Sequence, residues 1–253
     1  MNVIIAFSGG KDTNIVVLYS SVRMLIFVIT FRFCVYLENF KNHRLTNFSM
    51  HIAITGNIGV GKTTLTKQLG EHYGWGVLYE AVEGNPYLSD FYQDMSRWSF
   101  NLQIYFLNSR FAQIQKVRNQ TYTTVVQDRT IYEDAYIFAR NLYESGNMSA
   151  RDYQSYLLLF DSIIKEVSAP DLMIYLKADL PKLTSQIQKR GRDFEASISE
   201  EYLAGLNNYY EQFAASYDHG KLITIDVNNM DFENNPKDFE SIIKVLNKEL
   251  FYA

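Results

Sequence analysis

The chain has 253 residues, 47% of them hydrophobic and 21% charged, a composition that supports a folded core and excludes disorder as the dominant state. Its single cysteine, Cys34, excludes an intrachain disulfide scaffold. A net charge of −4 argues against a basic face that tracks a nucleic acid polymer.

Residues 1–49 stand apart from the rest. They carry five basic and two acidic side chains, net +3, which leaves −7 for the remainder. The stretch Ile15–Leu37 is mostly apolar, but Arg23 and Arg32 interrupt it. Each would cost roughly 2.5–3.5 kcal/mol near a bilayer centre, so no membrane attachment is expected. The run is too long for a signal peptide and lacks a clear cleavage site. After the apolar Val3-Ile4-Ile5-Ala6, Phe7-Ser8-Gly9-Gly10-Lys11-Asp12 resembles the phosphate loop of ATP pyrophosphatases, but none of that family's later pattern follows. The expected organisation is a non-native or poorly structured extension over 1–49, with the functional domain over 50–253.

From Met50 the elements come in order. His51-Ile52-Ala53-Ile54-Thr55 reads as a strand. It runs into Gly56-Asn57-Ile58-Gly59-Val60-Gly61-Lys62-Thr63, a complete G-x-x-x-x-G-K-T phosphate loop, and Thr64 continues into a helix. In such a loop, glycines let backbone N–H groups point at phosphate oxygens, and the helix N-terminus adds partial positive charge. Lys62 reaches the terminal phosphates and Thr63 offers a hydroxyl to Mg²⁺. Nucleoside triphosphate binding follows.

Val77–Glu80 reads as a strand ending on an acid. Leu88–Lys116 has helical period with a break near Ser96. Thr123–Asp128 reads as a strand, again ending on an acid. Asp134–Tyr143 and Ala150–Val167 read as helices, Leu172–Leu176 as a strand, and Leu183–Lys189 and Glu200–Tyr217 as helices. Leu222–Val227 is the fifth strand, and Asp238–Leu250 closes the chain as an amphipathic helix. Short apolar strands alternating with helices predict an α/β fold, a five-stranded parallel sheet flanked by helices. Ligands on such sheets gather at the carboxyl ends of the strands, where Lys62, Glu80 and Asp128 would meet.

These residues resemble the deoxynucleoside kinase family of the deoxyadenosine, deoxyguanosine and deoxycytidine type, bacterial branch. The resemblance covers the chain from Met50 onward. It rests on the loop Gly56–Thr63, Glu80-Ala81-Val82, Asn85-Pro86-Tyr87-Leu88, Arg97-Trp98-Ser99-Phe100 with Gln103 and Arg110, Asp128-Arg129-Thr130, Asp134 to Phe138, and Arg190-Gly191-Arg192 with Glu195. It implies a P-loop kinase fold with a short arginine lid, and ATP-dependent phosphorylation of a deoxynucleoside 5′-hydroxyl for nucleotide salvage, with deoxyadenosine the first expectation and deoxyguanosine or deoxycytidine the alternatives. It also implies a cytoplasmic homodimer acting on small molecules.

The resemblance gives each residue a role. Glu80 becomes the general base, and Lys62 and Arg129 stabilise the transferring phosphoryl group. Arg190 and Arg192 close over ATP, with Gln186 standing where an additional arginine is expected. Mg²⁺ falls to Thr63 and Asp128, the latter one methylene shorter than the glutamate of many members. Gln103 reads the base with the Arg110–Asp134 pair beside it. Phe138 and Phe100 wall the base pocket, and Tyr92 with Glu195 holds the sugar 3′-hydroxyl. Two rival readings are a nucleoside-monophosphate kinase of thymidylate type and a non-catalytic nucleotide-binding switch. The first would need extra cations near Glu80, where the chain instead carries Glu83 and Asp90.

Overall fold

The apolar runs form one all-parallel sheet of five strands: β1 (His51–Gly56), β2 (Gly76–Leu78), β3 (Val125–Asp128), β4 (Leu172–Lys177) and β5 (Lys221–Asp226). The strand order is β2-β3-β1-β4-β5. The structure, a computed structural model, describes residues 49–251 except 81, 83, 119–123, 193, 194, 196 and 197, with only the backbone of 117 and 118. The Ile15–Leu37 stretch, the Phe7–Asp12 loop, Ala81 and Glu83 lie outside the described residues.

β1 sits at the centre, and five of its six residues are buried. All of β3 is buried as well, so the middle of the sheet is covered on both faces. β4 displays the period of two. Leu172, Ile174 and Leu176 join the core on one face, with Leu65 and Leu69 of α1 (Lys62–Tyr73) and Ile242 and Leu246 of α9 (Pro236–Phe251). Met173 and Tyr175 point into the core on the other face. The edge strands β2 and β5 are only partly covered.

That second face carries α2 (Leu88–Gln93), α3 (Met95–Arg118), α4 (Ile131–Glu133), α5 (Arg140–Glu144), α6 (Ala150–Ile164) and α8 (Glu200–Ser216). The predicted break near Ser96 falls at Asp94. Its Oδ1 accepts from Arg97 N at 3.0 Å, serving one free backbone donor at the start of α3, and from the Ser96 hydroxyl at 3.0 Å. Between α4 and α5, Asp134–Ala139 forms a π-helix where the sequence period predicts ordinary helix. α7 (Leu180–Arg190) carries proline in its first turn and stops at Gly191, whose φ of 62° suits the left-handed helix cap.

Register brings the loop and the acid together. Ile54 lies level with Asp128 across the β1–β3 pairing. The phosphate loop, which starts two residues on, therefore opens beside the end of β3.

Candidate active site

A cleft of about 680 Å³ opens along the carboxyl edge of the sheet. Its floor is the phosphate loop. Gly59 (φ 84°) and Gly61 (φ 98°) hold conformations that an L side chain rarely adopts. A Cβ on Gly61 would stand 2.7 Å from the Phe232 ring, so the loop has no room for one. Lys62 folds back to donate to the carbonyls of Gly56 at 2.9 Å and Asn57 at 3.0 Å. Burial and the nearby Arg129 push its ammonium down to about 8, against the pull of Asp128, Glu80 and Glu133. Asn57 turns away from the cleft and donates to Leu203 O at 3.0 Å and Asn207 Oδ1 at 2.6 Å, pinning the loop to α8. Val60 packs in the core. Gly56, Asn57 and Val60 thus shape the loop without lining the cleft, whereas Ile58, Gly59, Gly61, Lys62, Thr63 and Thr64 line it.

Thr63 Oγ1 donates to Asp128 Oδ2 at 2.5 Å. Asp128 is fully buried, and its Oδ1 has no hydrogen-bond partner. The Thr63 hydroxyl and the Asp128 carboxylate, whose buried Oδ1 is unsatisfied, make a hard-oxygen pair that fits Mg²⁺. Burial raises the Asp128 carboxyl above its ordinary value, opposed by Lys62. A cation there would favour its ionised form.

Glu80 lies two residues beyond β2, which ends at Leu78, short of the predicted strand end. Its segment is fastened from α3, where Gln113 Nε2 donates to Tyr79 O at 2.7 Å. Glu80 Oε1 accepts from Arg110 Nη2 at 2.8 Å and pairs with Arg129 Nε at 2.9 Å. Burial would push its carboxyl up, but Arg129, Arg110 and Lys62 together outweigh it and hold it at about 2. Glu80 is therefore ionised throughout the neutral range.

Gln103 and Arg110, two turns apart on α3, do share a face. They differ in reach. Gln103 lines the cleft, is 2% exposed, and its amide oxygen has no partner. Arg110 does not line the cleft. It sits behind Glu80 and Asp134 and pairs with both, with Nε 2.9 Å from Asp134 Oδ2. Burial raises the Asp134 carboxyl to about 7, with Arg110 and Arg129 pulling the other way. Phe138 lines the cleft under Arg129, whose guanidinium carbon is 4.4 Å above the ring centroid. Phe100 does not: it packs against the hydrophobic core at the start of α3, where the helix meets α2 instead of the cleft.

Tyr92 and Glu195 both line the cleft, close enough that Glu195 helps burial raise the Tyr92 phenol. Glu195 also does something the sequence did not suggest. Its Oε2 accepts from Arg190 Nε at 3.0 Å and Nη2 at 2.5 Å, and its Oε1 from Arg192 Nη1 at 3.3 Å. The two lid arginines are thus tied to an internal carboxylate. Gln186 and Lys189 line the same end, with Lys189 paired to Glu233 at 3.3 Å.

Two buried residues escaped sequence reasoning. Tyr210 accepts from Arg129 Nη1 at 3.0 Å and donates to Glu133 Oε1 at 2.8 Å. A signal for Glu133 was present, because Thr130-Ile131-Tyr132-Glu133 is a capping box, and Thr130 N does donate to Glu133 Oε2 at 2.7 Å. Nothing local marks Tyr210.

The chain matches the family described as deoxynucleoside kinase over residues 52–251. It is 38% identical over 205 residues to the deoxyadenosine/deoxycytidine kinase of Bacillus subtilis (strain 168), spanning 80% of this chain and 94% of that protein. It is 47% identical over 163 residues to the deoxyadenosine kinase of Dictyostelium discoideum, spanning 64% of this chain and 66% of that protein. Among solved structures, the deoxyadenosine kinase from M. mycoides with bound dATP is similar with a TM-score of 0.70 and 33% identity, over 78% of this chain and 99% of that one.

Proposed function

This chain belongs to the deoxynucleoside kinase family and phosphorylates a deoxynucleoside with ATP, and we propose that deoxyadenosine is its preferred acceptor and that the cleft residues divide the work as follows. Family membership sets aside the thymidylate-type kinase and the non-catalytic switch. The observation that carries the site assignment is Glu80, an ionised carboxylate held by two arginines in the same cleft as the phosphate loop.

Glu80 accepts a hydrogen bond from the 5′-hydroxyl and takes its proton. A carboxylate held at about 2 is a weak base. That suits phosphoryl transfer through a loose transition state, where the nucleophile needs orientation more than early deprotonation. Lys62 exchanges its two loop carbonyls for phosphate oxygens, and Arg129 steadies the charge that gathers on the transferring group. Thr63 and Asp128 would hold Mg²⁺, which when bound neutralises phosphate charge. Arg190 and Arg192 close over the triphosphate.

For the acceptor, the unpartnered buried oxygen of Gln103 needs a donor, and its amide nitrogen offers one. The exocyclic amine and adjacent ring nitrogen of adenine supply the matching edge, as do those of cytosine. The deoxyadenosine kinases among the relatives favour adenine. Arg110 and Asp134 back this edge, Phe138 walls the base, and Tyr92 with Glu195 meets the 3′-hydroxyl.

The catalytic unit is 50–253, supported by a family match that begins at residue 52. Leu158 and Leu159 on α6 are 69% and 41% exposed, which supports a homodimer through that helix. No helix among the described residues is long and apolar enough to cross a membrane. A cytoplasmic place in nucleotide salvage follows from the substrates. Residues 50–253 should phosphorylate deoxyadenosine with the highest kcat/KM of the four common deoxynucleosides. Preference for thymidine would overturn the acceptor assignment, and loss of activity relative to the full chain would overturn the domain assignment.

A further inference from the structure

We propose that Tyr210 and Glu133 are positioning residues for the transfer step, holding the Arg129 guanidinium in register with Glu80. The inference rests on the roles given above to Arg129 and Glu80.

Arg129 is the one non-glycine residue with positive φ among the described residues, at 70°. A left-handed arginine is strained and persists only where its surroundings over-determine it. Its backbone N–H donates to Ile54 O at 2.8 Å, which ties the bend to β1. Its guanidinium is fixed on three sides: Nε against Glu80 Oε1 at 2.9 Å, Nη1 on the Tyr210 oxygen at 3.0 Å, and the plane over Phe138 at 4.4 Å.

Tyr210 makes the third point rigid. It is fully buried, stacked on Tyr175 at 5.9 Å with rings 5° from parallel, and edge-on to Phe138. An arginine can only donate and a carboxylate can only accept, so the phenol must accept from Arg129 and donate to Glu133. Burial pushes the phenol well above its ordinary value, Arg129 opposing and Glu133 adding, so the proton stays in place. Glu133, also fully buried, is anchored at its other oxygen by the backbone of Thr130.

The spacing argues that the phenol does more than pack. Arg129, at φ 70°, precedes the Thr130 cap of α4, so helix geometry does not bring it onto Glu133. Nη1 and Oε1 stand 3.8 Å apart, and the Tyr210 hydroxyl bonds to both. Without that oxygen, Arg129 is free to swing to Glu133 and away from Glu80. Neither Tyr210 nor Glu133 lines the cleft, so both act through Arg129.

Tyr210→Phe in the full chain keeps the ring and removes the oxygen. With folding checked by thermal melt, kcat should fall ~10- to 100-fold while KM for deoxyadenosine and ATP stays within about twofold. Wild-type kcat in folded protein, whatever its Tm, overturns the proposal, as does a rise in KM alone. If Tyr210→Phe fails to fold, Glu133→Gln carries the test, since its amide oxygen can still accept from Thr130. A fall in kcat at constant KM supports the proposal, and unchanged kcat overturns it. Arg129→Lys separates the two layers. If it is slow and Tyr210→Phe is not, only the positioning role fails. If Arg129→Lys turns over like wild type, the Arg129 reading fails and this proposal with it. In the Arg129→Lys background, Tyr210→Phe should cost no more than about a further twofold, and a loss equal to that of the single variant overturns the proposal.

Discussion

Replacing Glu80 by Gln keeps the shape of the side chain and removes its charge. Two buried arginines then lose the anion they share, although Arg110 keeps Asp134 at 2.9 Å and Arg129 keeps Tyr210 at 3.0 Å. The Glu80 carboxyl is held at about 2 in the folded chain, where burial raises it but Arg129, Arg110 and Lys62 prevail. Against ~4.3 in the unfolded chain, that difference corresponds to about 3 kcal/mol of stability from the ionised form. Because the folded value is the lower one, this stability is fully present above pH ~4.3 and is lost as pH falls towards 2. Glu80→Gln should therefore lower Tm by roughly 6–12 °C at neutral pH. Its effect on catalysis should be larger in proportion. Loss of the group that orients the 5′-hydroxyl should lower kcat by ~10²-fold or more, nearer that value than 10⁴ because so acidic a carboxyl is a weak base. Glu80→Asp tests position separately, since it keeps the charge and retracts it by one methylene, and ~10²-fold is the scale of a 1 Å misplacement. The assay is ADP release coupled to ATP and deoxyadenosine, with melting curves on the same samples. A folded Glu80→Gln enzyme within about fivefold of wild-type kcat would refute the role.

Other outcomes follow from the same geometry. Lys62 is pushed down to about 8 by burial and Arg129 in the free protein, so kcat/KM for ATP should fall as pH rises through that value. Over the same range kcat should stay level, because bound phosphates hold the proton on the ammonium; a level kcat/KM to pH ~9 would contradict this. Arg110→Met combined with Asp134→Ala removes the ion pair proposed to lie beside the base and should shift relative kcat/KM towards pyrimidine nucleosides. An unchanged ranking of the four deoxynucleosides would count against the pair. Gly61→Ala places a Cβ at φ 98°, 2.7 Å from Phe232, and should weaken ATP binding by ~10-fold or more in a direct titration. Wild-type affinity there would mean that the loop tolerates a shift.

What the sequence revealed was local. The phosphate loop spans eight consecutive residues between a strand and a helix, and Asp128 ends the strand that pairs with β1, so their meeting follows from parallel topology. Gln103 and Arg110 follow from helical spacing, although spacing could not tell that one lines the cleft and the other backs it. Phe100 misled for a related reason. It shares the Gln103 face one turn earlier, where α3 already packs against the core. The π-helix left no trace, since Asp134–Ala139 carries the apolar period of an ordinary helix. The Arg129–Tyr210 bond joins residues 81 positions apart, and only the packing of α8 brings them together.

The lid carries its own counter-ion. Glu195 is 5% exposed and holds Arg190 and Arg192, which are each about one-third exposed. On the roles proposed for Arg190 and Arg192, a triphosphate has to win these guanidiniums from an occupant already seated, and the gain on binding is the difference between two anions. When the diphosphate product departs, the same carboxylate stands ready to take its place. The enzyme gives up grip and gains release, a useful exchange wherever letting go limits the cycle. On the same proposed roles, a sugar hydroxyl competing for Glu195 would loosen the arginines as it arrives. Filling one half of the cleft would then ready the other.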